Sequence, residues 1–383
     1  MRIIADRNIP FVVECFSSIG DVEVIPGREM TASLVREADV LLVRSVTRVG
    51  SELLAGSKVR FVATATIGFD HIDTEYLAKN DIGFASAPGS NANSAAEYVI
   101  AALLSVAQKK NYDLQDKSIG IIGVGNVGGR VAKKASALGM KVYLNDPPLQ
   151  RQTGDTKYLP IEELFGCDFI TLHTPLTFER INRTFHLADE KFFNLLKKGC
   201  VFLNTSRGGV VETDALKTAI KSGKLRAAVL DVWENEPNID VELLRIVDLS
   251  TPHIAGYSLD GKVAGTIMVY EAACKYFGLS AKYHIEDFLP EPEVKQIEVN
   301  ARSASEREVL HQTVQQVYCI NRDDFNTREI AMVPEEQQGK FFDDLRKNYP
   351  VRREFQNTQI IFTQLCDSLA TKLKGIGFRV HNG

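Results

Sequence analysis

Three side chains that can bind and oxidise a small acid follow strand-like runs in this sequence. Arg207 lies in Asn-Thr-Ser-Arg-Gly, Glu236 in Asp-Val-Trp-Glu-Asn-Glu-Pro, and His253 in Thr-Pro-His. A guanidinium binds a carboxylate through two hydrogen bonds, and an imidazole backed by a carboxylate accepts a proton near neutral pH. Each residue alone also fits an ordinary surface or loop position. Together they predict a site for 2-hydroxy acids, in which Arg207 binds the carboxylate, His253 is the base and Glu236 orients it.

A glycine-rich run predicts the hydride acceptor that such a reaction needs. Gly-Val-Gly-Asn-Val-Gly begins at Gly123, after the strand-like run Ser118–Ile122 and before a helical run over residues 129–138. Glycines at these positions permit a tight turn, an approach of the backbone to a pyrophosphate, and close packing of helix on strand. The predicted dinucleotide contacts in this loop are Gly123, Gly125, Asn126, Val127 and Gly128.

Asp146 indicates which dinucleotide is bound. It ends the next strand-like run, Lys141–Asn145, close to the spacing of about 20 residues at which such sites carry an acidic group. A carboxylate at this position accepts hydrogen bonds from the ribose and repels a 2′-phosphate. No arginine lies between Asp146 and Gln150, although Arg151 follows. The sequence therefore predicts NAD rather than NADP.

Strands that alternate with helices must position these residues. The first series of strand-like runs is Arg2–Ala5, Val22–Ile25, Val40–Val43 and Arg60–Thr64. The second series is Ser118–Ile122, Lys141–Asn145, Phe169–Leu172, Val201–Asn204, Ala227–Leu230 and Val247–Leu249. Such alternation predicts doubly wound parallel sheets, which bind ligands at the carboxyl ends of their strands. Between the two series, Ser94 and Glu97 match a capping box, which predicts a helix from Ser94 to Gln108.

The last part of the chain has a different character. It follows Pro290-Glu-Pro292 and contains two strand-like runs, two helical runs and a charged segment, Phe341–Glu354. This pattern predicts a small third domain. The predicted fold class is therefore α/β, with two doubly wound parallel-sheet (Rossmann-like) domains, one inserted in the other, and a small C-terminal α/β domain.

Composition excludes several classes of function. Hydrophobic residues make up 44% of the chain and charged residues 25%, and the formal net charge is −4. A chain without a basic field is not expected to bind nucleic acid or an anionic membrane surface. We expect neither a secretion signal nor a membrane span, because no long apolar run occurs. The six scattered cysteines predict free thiols in the cytoplasm and no metal site.

The motifs in their order resemble the D-isomer-specific 2-hydroxyacid dehydrogenase family. The resemblance covers residues 1–280 and includes the glycine loop, His173-Thr-Pro-Leu176 and the segments around Arg207, Glu236 and His253. It implies that Thr174, Asp231 and Gly256 line the cofactor. It also implies a flavodoxin-like substrate domain (residues 1–92 and 255–285), an NAD-binding Rossmann domain (93–254) and a C-terminal dimerisation domain (286–383).

Within the family, the chain is most similar to members that oxidise a four-carbon hydroxy acid with a terminal phosphate. The residues that carry this similarity are Leu42–Thr47, Ala63–Thr66, Asp70–Asp73, Thr251–Tyr257 and Leu345–Tyr349. The similarity implies a homodimer and substrate contacts from Ser45, Thr66 and Tyr257. We also expect phosphate contacts from Arg44 and from Arg346, which belongs to a basic cluster with Lys347, Arg352 and Arg353, because several cations suit a phosphate dianion. A solvated charged face is the alternative for that cluster.

Two other functions fit the same motifs. One is a family member that acts on 3-phosphoglycerate, and an assay of both phosphorylated acids distinguishes the two. The other is a non-enzymatic corepressor that senses NADH on the same fold. Protein that binds NADH but turns over no hydroxy acid would favour the corepressor. The segment Thr177–Thr184 matches no functional pattern.

Overall fold

The chain folds into two compact units. The computed structural model describes residues 1–178, 181–302, 304–364 and 366–381. The first unit comprises Met1–Asn91 with Ser258–Pro290, and the second comprises Ala92–Tyr257 with Glu291–Gly383. Residues from Glu291 onward therefore group with the unit that carries the glycine loop.

The described residues contain strands and helices in alternation through most of the chain. The strands are β1 (Arg2–Asp6), β2 (Asp21–Ile25), β3 (Val40–Val43), β4 (Phe61–Thr64), β5 (Gly83–Ala85), β6 (Ser118–Ile122), β7 (Lys141–Asn145), β8 (Phe169–Leu172), β9 (Cys200–Asn204), β10 (Leu225–Leu230), β11 (Leu249–Ser250), β12 (Gln296–Asn300), β13 (Gln359–Gln364) and β14 (Arg379–His381). The helices are α1 (Val12–Phe16), α2 (Ala32–Val35), α3 (Ser51–Leu54), α4 (Thr74–Lys79), α5 (Ala92–Lys110), α6 (Asn126–Ala137), α7 (Pro147–Thr153), α8 (Glu190–Leu195), α9 (Thr213–Lys221), α10 (Val241–Ile246), α11 (Leu259–Tyr276), α12 (Glu306–Val317), α13 (Ile320–Arg328), α14 (Glu335–Lys347) and α15 (Asp367–Ile376).

The first unit is built on a five-stranded parallel sheet. Its strand order is β2-β1-β3-β4-β5. All residues of β3 and β4 are buried, as their continuous apolar character predicts for central parallel strands. Because β3 and β4 are neighbours, the residues that follow them meet at one edge of the sheet.

The second unit is built on a six-stranded parallel sheet, which confirms the predicted fold class. Its strand order is β11-β10-β9-β8-β6-β7. The order reverses between β6 and β8, and ligands of doubly wound sheets bind at the carboxyl ends of strands at such a reversal. The glycine loop follows β6, and Thr174 lies just after β8.

The capping box predicted at Ser94 is wrong, because α5 begins at Ala92 and both Ser94 and Glu97 are fully buried within it. Ser94 Oγ donates to Glu354 at 2.7 Å, and Glu97 accepts from the Phe355 amide at 3.0 Å. Burial and the nearby Glu354 carboxylate raise the pKa of Glu97 well above its ordinary range. The two residues therefore join α5 to the C-terminal segment instead of capping the helix.

The C-terminal residues form a three-stranded parallel sheet in the order β12-β13-β14. Ile297 and Val299 of β12 and Leu373 of α15 belong to the same apolar cluster as Val131 of α6 and Ile121 of β6. The C-terminal part of the second unit, which begins at Glu291, thus shares its core with the glycine-loop region. Among the described residues, no helix combines the length and the hydropathy needed to cross a membrane.

Candidate active site

The glycine loop has the geometry of a dinucleotide cradle. Gly123 has a φ of +87°, and a Cβ on it would lie 2.7 Å from the His173 carbonyl oxygen. A Cβ on Gly128 would lie 2.0 Å from the Gly123 carbonyl oxygen, so this glycine is required for the turn to pack. At Gly125, in contrast, a Cβ would meet no atom within 4 Å. This open face, beside the first turn of α6 at Asn126 and Val127, leaves room for a pyrophosphate at a helix N-terminus.

One buried polar atom also lacks a partner beside this cradle. The hydroxyl of Thr174 is buried and has no hydrogen-bond partner among the described residues, and its methyl carbon would lie 3.0 Å from a Cβ on Gly123. Buried polar groups are normally paired, so an unpaired one at a ligand cradle fits a contact with the ligand. The residues present therefore fit a dinucleotide.

Asp146 is fixed against the loop. Its Oδ2 accepts from the Val124 amide at 2.8 Å, and its Oδ1 accepts from the Leu149 amide at 2.9 Å, which caps α7. A carboxylate oxygen has two lone-pair sites, so both oxygens can accept a further hydrogen bond. Asp146 therefore combines a structural role with a position at the carboxyl end of β7, where the adenosine ribose binds in such folds.

We expect Asp146→Ala to weaken NAD binding by about 10–100-fold, because hydrogen bonds to a charged group contribute about 1.5–3 kcal/mol. The same change removes the repulsion of a 2′-phosphate, so the preference for NAD over NADP should fall. Titration calorimetry with both dinucleotides measures the two effects. Asp189→Ala is the matched control, since Asp189 caps α8 through the Phe192 amide. Unchanged cofactor preference in the Asp146 variant would contradict the assignment.

The Arg207 loop lies against the loop that carries Glu236. Asn204 organises its start, accepting from Ser206 N at 3.0 Å and donating to the Arg207 carbonyl at 3.0 Å. A Cβ on Gly208 would lie 1.8 Å from the Trp233 carbonyl oxygen. Only glycine permits this approach of the two backbones, which brings Arg207 and the Glu236 segment to one place.

His253 and Glu236 form a hydrogen-bonded pair. Nδ1 of His253 lies 2.7 Å from Oε2 of Glu236, whose Oε1 accepts from the Trp233 amide at 2.7 Å. Burial of Glu236 opposes its ionisation, but the charge and hydrogen bond of His253, the Trp233 amide and Arg346 hold the pKa of this carboxyl below its ordinary value. Glu236 is therefore a carboxylate at neutral pH and stabilises a protonated imidazole.

Asp231 positions the backbone around His253. Its Oδ1 accepts from Thr251 Oγ1 at 2.7 Å and from the Ile254 amide at 2.8 Å, and its Oδ2 accepts from the Ala255 amide at 3.0 Å. The Asp231 carbonyl accepts from the His253 amide at 2.6 Å. His253 itself has a φ of +59°, an unusual conformation for a non-glycine residue that these bonds maintain. Sequence reasoning missed this role, which the fold alone reveals.

We expect Glu236→Gln to move the acid limb of the pH–rate profile for oxidation to lower pH. The amide carries no negative charge, so it no longer favours the protonated form of the imidazole that lies 2.7 Å from the Glu236 carboxylate in the wild type. Steady-state rates between pH 5 and pH 9, compared between the two proteins, measure the shift. Glu234→Gln is a close control, because Glu234 lies 2.7 Å from a different histidine, His186. Identical profiles for Glu236→Gln and wild type would remove Glu236 from its assigned role.

Two of the predicted substrate residues lie close together in the second unit. The Arg346 guanidinium lies 5.9 Å from the centroid of the Tyr257 ring, and its charge helps lower the pKa of Glu236. Its Nε is buried without a hydrogen-bond partner among the described residues. Gly256, a predicted cofactor residue, directly precedes Tyr257. The structure thus brings Arg346, from α14, near enough to Glu236 for their charges to interact.

The other predicted substrate residues lie in the first unit. Arg44 and Ser45 directly follow β3, and Thr66 follows β4, so all three lie at the carboxyl ends of neighbouring strands. Thr66 Oγ1 lies 2.7 Å from Thr64 Oγ1 and donates to the Gly68 carbonyl at 2.9 Å. These contacts fix the Thr66 hydroxyl at the edge of the first sheet.

Comparison with known proteins places the chain in a family. Residues 93–255 match the model of the D-isomer specific 2-hydroxyacid dehydrogenase NAD binding domain, and residues 288–377 match a domain of unknown function. The chain is 42% identical to an erythronate-4-phosphate dehydrogenase from Proteus mirabilis, with 99% of each chain covered. It is also 42% identical to one from Escherichia fergusonii, covering 100% of this chain and 99% of the relative.

Solved structures agree with this result. A 3-phosphoglycerate dehydrogenase from Entamoeba histolytica with bound NAD⁺ matches at a TM-score of 0.63 and 26% identity, covering 76% of this chain and 99% of that one. A D-lactate dehydrogenase from Aquifex aeolicus with NAD and lactic acid matches at 0.61 and 25% identity, covering 73% and 96%. The predictions of the family and of NAD as cofactor are confirmed. The chain belongs to the D-isomer-specific 2-hydroxyacid dehydrogenase family and, within it, to the erythronate-4-phosphate dehydrogenases.

Proposed function

We propose that the protein oxidises 4-phospho-D-erythronate with NAD to 3-hydroxy-2-oxo-4-phosphooxybutanoate, as a step of pyridoxal 5′-phosphate (vitamin B6) biosynthesis. The observation that carries the proposal is the 2.7 Å pairing of His253 with Glu236, in the unit that also holds the glycine loop and Arg207. The identity of 42% over nearly the whole chain to erythronate-4-phosphate dehydrogenases supports this substrate.

Arg207, His253 and Glu236 have separate roles in the proposed reaction. Arg207 binds the substrate carboxylate and orients C2, because its guanidinium matches a carboxylate through two hydrogen bonds. His253 accepts the proton of the C2 hydroxyl through Nε2, since Nδ1 is paired with Glu236. Bound NAD would supply the hydride acceptor for C2, so that the alcohol would become a ketone. Glu236 holds the ring in one orientation and stabilises the charge that it gains.

Thr174, the glycine loop and Asp146 are the residues that would hold NAD, with Asp231 and Gly256 beside them. Thr174 offers its unpaired hydroxyl, and Gly125 offers an open backbone face. Asp231 acts mainly through the backbone of the His253 loop, because its carboxylate accepts from Thr251 and from the amides of Ile254 and Ala255. We therefore assign it a supporting role at the cofactor.

The phosphate of the substrate needs cations or donors other than Arg207. Arg346 is suited to this role because its side chain is only 20% exposed and its buried Nε has no partner among the described residues. Tyr257 lies beside it and carries a hydroxyl group. Arg44, Ser45 and Thr66 are the further candidates, from the strand ends of the first unit. Arg352 donates to the Ala255 carbonyl and Arg353 donates to Asn357 Oδ1, so we do not include them in the phosphate site.

We expect Arg346→Ala to raise KM for the phosphorylated acid by about 10–100-fold, the loss for hydrogen bonds to a charged group of about 1.5–3 kcal/mol. The effect on the dephosphorylated analogue should be much smaller. Steady-state kinetics with both acids measure the difference. Lys347→Ala is the matched control, since Lys347 is the next residue and is exposed. Equal changes with both acids would show that Arg346 does not bind the phosphate.

The formation of NADH from NAD with 4-phospho-D-erythronate and with 3-phosphoglycerate tests the proposed substrate. We expect a much higher kcat/KM with 4-phospho-D-erythronate. A preference for 3-phosphoglycerate would overturn the proposal in favour of the other phosphorylated acid. Binding of NADH without turnover of either acid would indicate a sensor.

We also propose that the enzyme is a cytoplasmic homodimer joined through its C-terminal part. Two large apolar side chains support this interface, Phe325 at 67% exposure and Met332 at 86%. The cysteines of the described part are free thiols, which suits a reducing compartment.

Light scattering on the full chain, with Phe325→Glu and Met332→Glu, tests the dimer. We use the full chain because Ile297 and Leu373 share their core with the glycine-loop region. A monomeric wild type would overturn the proposal.

A further inference from the structure

Arg352 is a buried cation that contacts the loop carrying His253, here defined as residues 250–255. It is 5% exposed, and its Nη2 donates to the Ala255 carbonyl at 3.1 Å. The guanidinium lies 4.0 Å from the centroid of the Tyr318 ring, while Nε and Nη1 have no hydrogen-bond partner among the described residues. Burying a charge with incomplete pairing costs free energy, and functional sites are one place where proteins retain such costs.

The hydrogen bond to Ala255 adds to those that fix the peptide groups next to His253. Asp231 accepts from the amides of Ile254 and Ala255, and Arg352 donates to the carbonyl of Ala255. One residue, two positions after His253, is therefore held through both its N–H and its C=O. The Asp231 carboxyl group can only accept from the Ala255 N–H, and the Arg352 guanidinium can only donate to the Ala255 carbonyl.

The C-terminal part also holds the start of this loop. Asp324 Oδ1 accepts from both the amide and the hydroxyl of Ser250, each at 2.7 Å. Arg328 donates to Asp324 Oδ2 at 3.0 Å and so fixes that carboxylate. Segment 250–255 is thus fixed by Asp324 at one end and by Arg352 at the other.

We propose that Arg352 is a positioning residue for the dehydrogenase reaction, and that it keeps His253 in contact with Glu236 by fixing the Ala255 carbonyl. The proposal rests on the proposed role of His253 as the base. The groups that interact most strongly with the Arg352 charge are Tyr318, Tyr349, Glu97 and Asp323. The carboxyl groups of Glu236 and Asp231 both interact electrostatically with His253.

Arg352→Met removes the donor and keeps much of the apolar volume. We expect kcat to fall by about 10²-fold, as for a small displacement of a catalytic group by a change outside the site. The acid limb of the pH–rate profile should move to lower pH, in the direction expected for Glu236→Gln. Hydrogen exchange of the peptide covering residues 250–257 should become faster, and this readout needs no substrate. Arg352→Lys, which keeps the charge, should show smaller changes in all three measurements.

Leu373→Ala is the stability control, because Leu373 is fully buried in the core of the C-terminal part. It should lower Tm without moving the acid limb or selectively exposing residues 250–257. An Arg352→Met enzyme with wild-type kcat, acid limb and exchange would overturn the proposal. If Arg352→Met does not fold, Arg352→Lys decides by the same criteria. If wild type oxidises no hydroxy acid, the proposed function fails, whereas the exchange measurement still tests the effect of Arg352 on the loop.

Discussion

His253→Ala is expected to lower kcat for oxidation by about 10²–10⁴-fold, the usual loss when a positioned general base is removed. The imidazole is 2.7 Å from Glu236, and Asp231 and Arg352 hold the backbone beside it. A methyl group cannot accept the proton of the C2 hydroxyl, so hydride departure would leave a protonated ketone. Steady-state and single-turnover measurements of NADH formation give the size of the effect.

Cofactor binding provides the internal control for His253→Ala. The glycine loop and Asp146 follow other strands, β6 and β7, so NADH should bind with nearly wild-type affinity. The backbone bonds of Asp231 do not involve the imidazole, so Tm should change little. A variant that keeps wild-type kcat would show that another group accepts the proton.

Gly208→Ala is expected to abolish most activity and to destabilise the second unit. A Cβ at this position would lie 1.8 Å from the Trp233 carbonyl oxygen and 2.4 Å from the Glu234 amide nitrogen. Because both neighbours are backbone atoms, neither can move aside by a change of rotamer, and the two loops must separate. We expect a loss of stability at or above the ~1–3 kcal/mol typical of overpacking. A displacement of Arg207 relative to Glu236 should also reduce kcat/KM by about 10²-fold or more.

Thermal denaturation and kinetics on the same preparation separate these two effects. Gly129→Ala is the matched control, because a Cβ there would lie 3.7 Å from the Val124 carbonyl oxygen, an ordinary contact, inside α6. Alanine is favoured over glycine in a helix by roughly 0.5–1 kcal/mol, so this control should keep or raise Tm. A fully active and stable Gly208→Ala enzyme would contradict the close approach of the two loops.

The C-terminal part contributes to the proposed phosphate site and to the proposed positioning of His253. Arg346 on α14 lies near Tyr257, Arg352 holds Ala255, and Asp324 on α13 holds Ser250. The residues proposed for hydride transfer lie before residue 257, yet residues after 320 contact the loop that carries His253, the proposed base. The part of the chain that matches a domain of unknown function therefore also supports the candidate active site.

Local sequence determined much of this protein. The glycine loop, its flanking strand β6 and the apolar strands β3 and β4 follow from composition and spacing over a few residues, because turns, strand periodicity and helix starts are short-range properties. The sequence also suggested a catalytic set, since a guanidinium, a carboxylate and an imidazole after strands form a chemical pattern, and the assignment of Arg207, Glu236 and His253 to that set stays a prediction. Short edge strands were not: β5 and β14 have three residues each, too few to show a periodic pattern.

Tertiary structure alone decided the roles that depend on distant partners. Ser94 and Glu97 have the spacing of a capping box, but their partners, Glu354 and Phe355, lie more than 250 residues away and draw them into a buried network.

The charged segment that includes Arg352 and Glu354 looks like a solvated face in the sequence. Its residues 352–354 are nevertheless buried: Arg352 donates to the Ala255 carbonyl, and Glu354 accepts from Ser94 of α5. A sequence pattern records what a residue can do with its near neighbours. Which backbone group a buried charge finally binds depends on chain packing, and for Arg352 that group is the Ala255 carbonyl, 97 residues earlier in the chain.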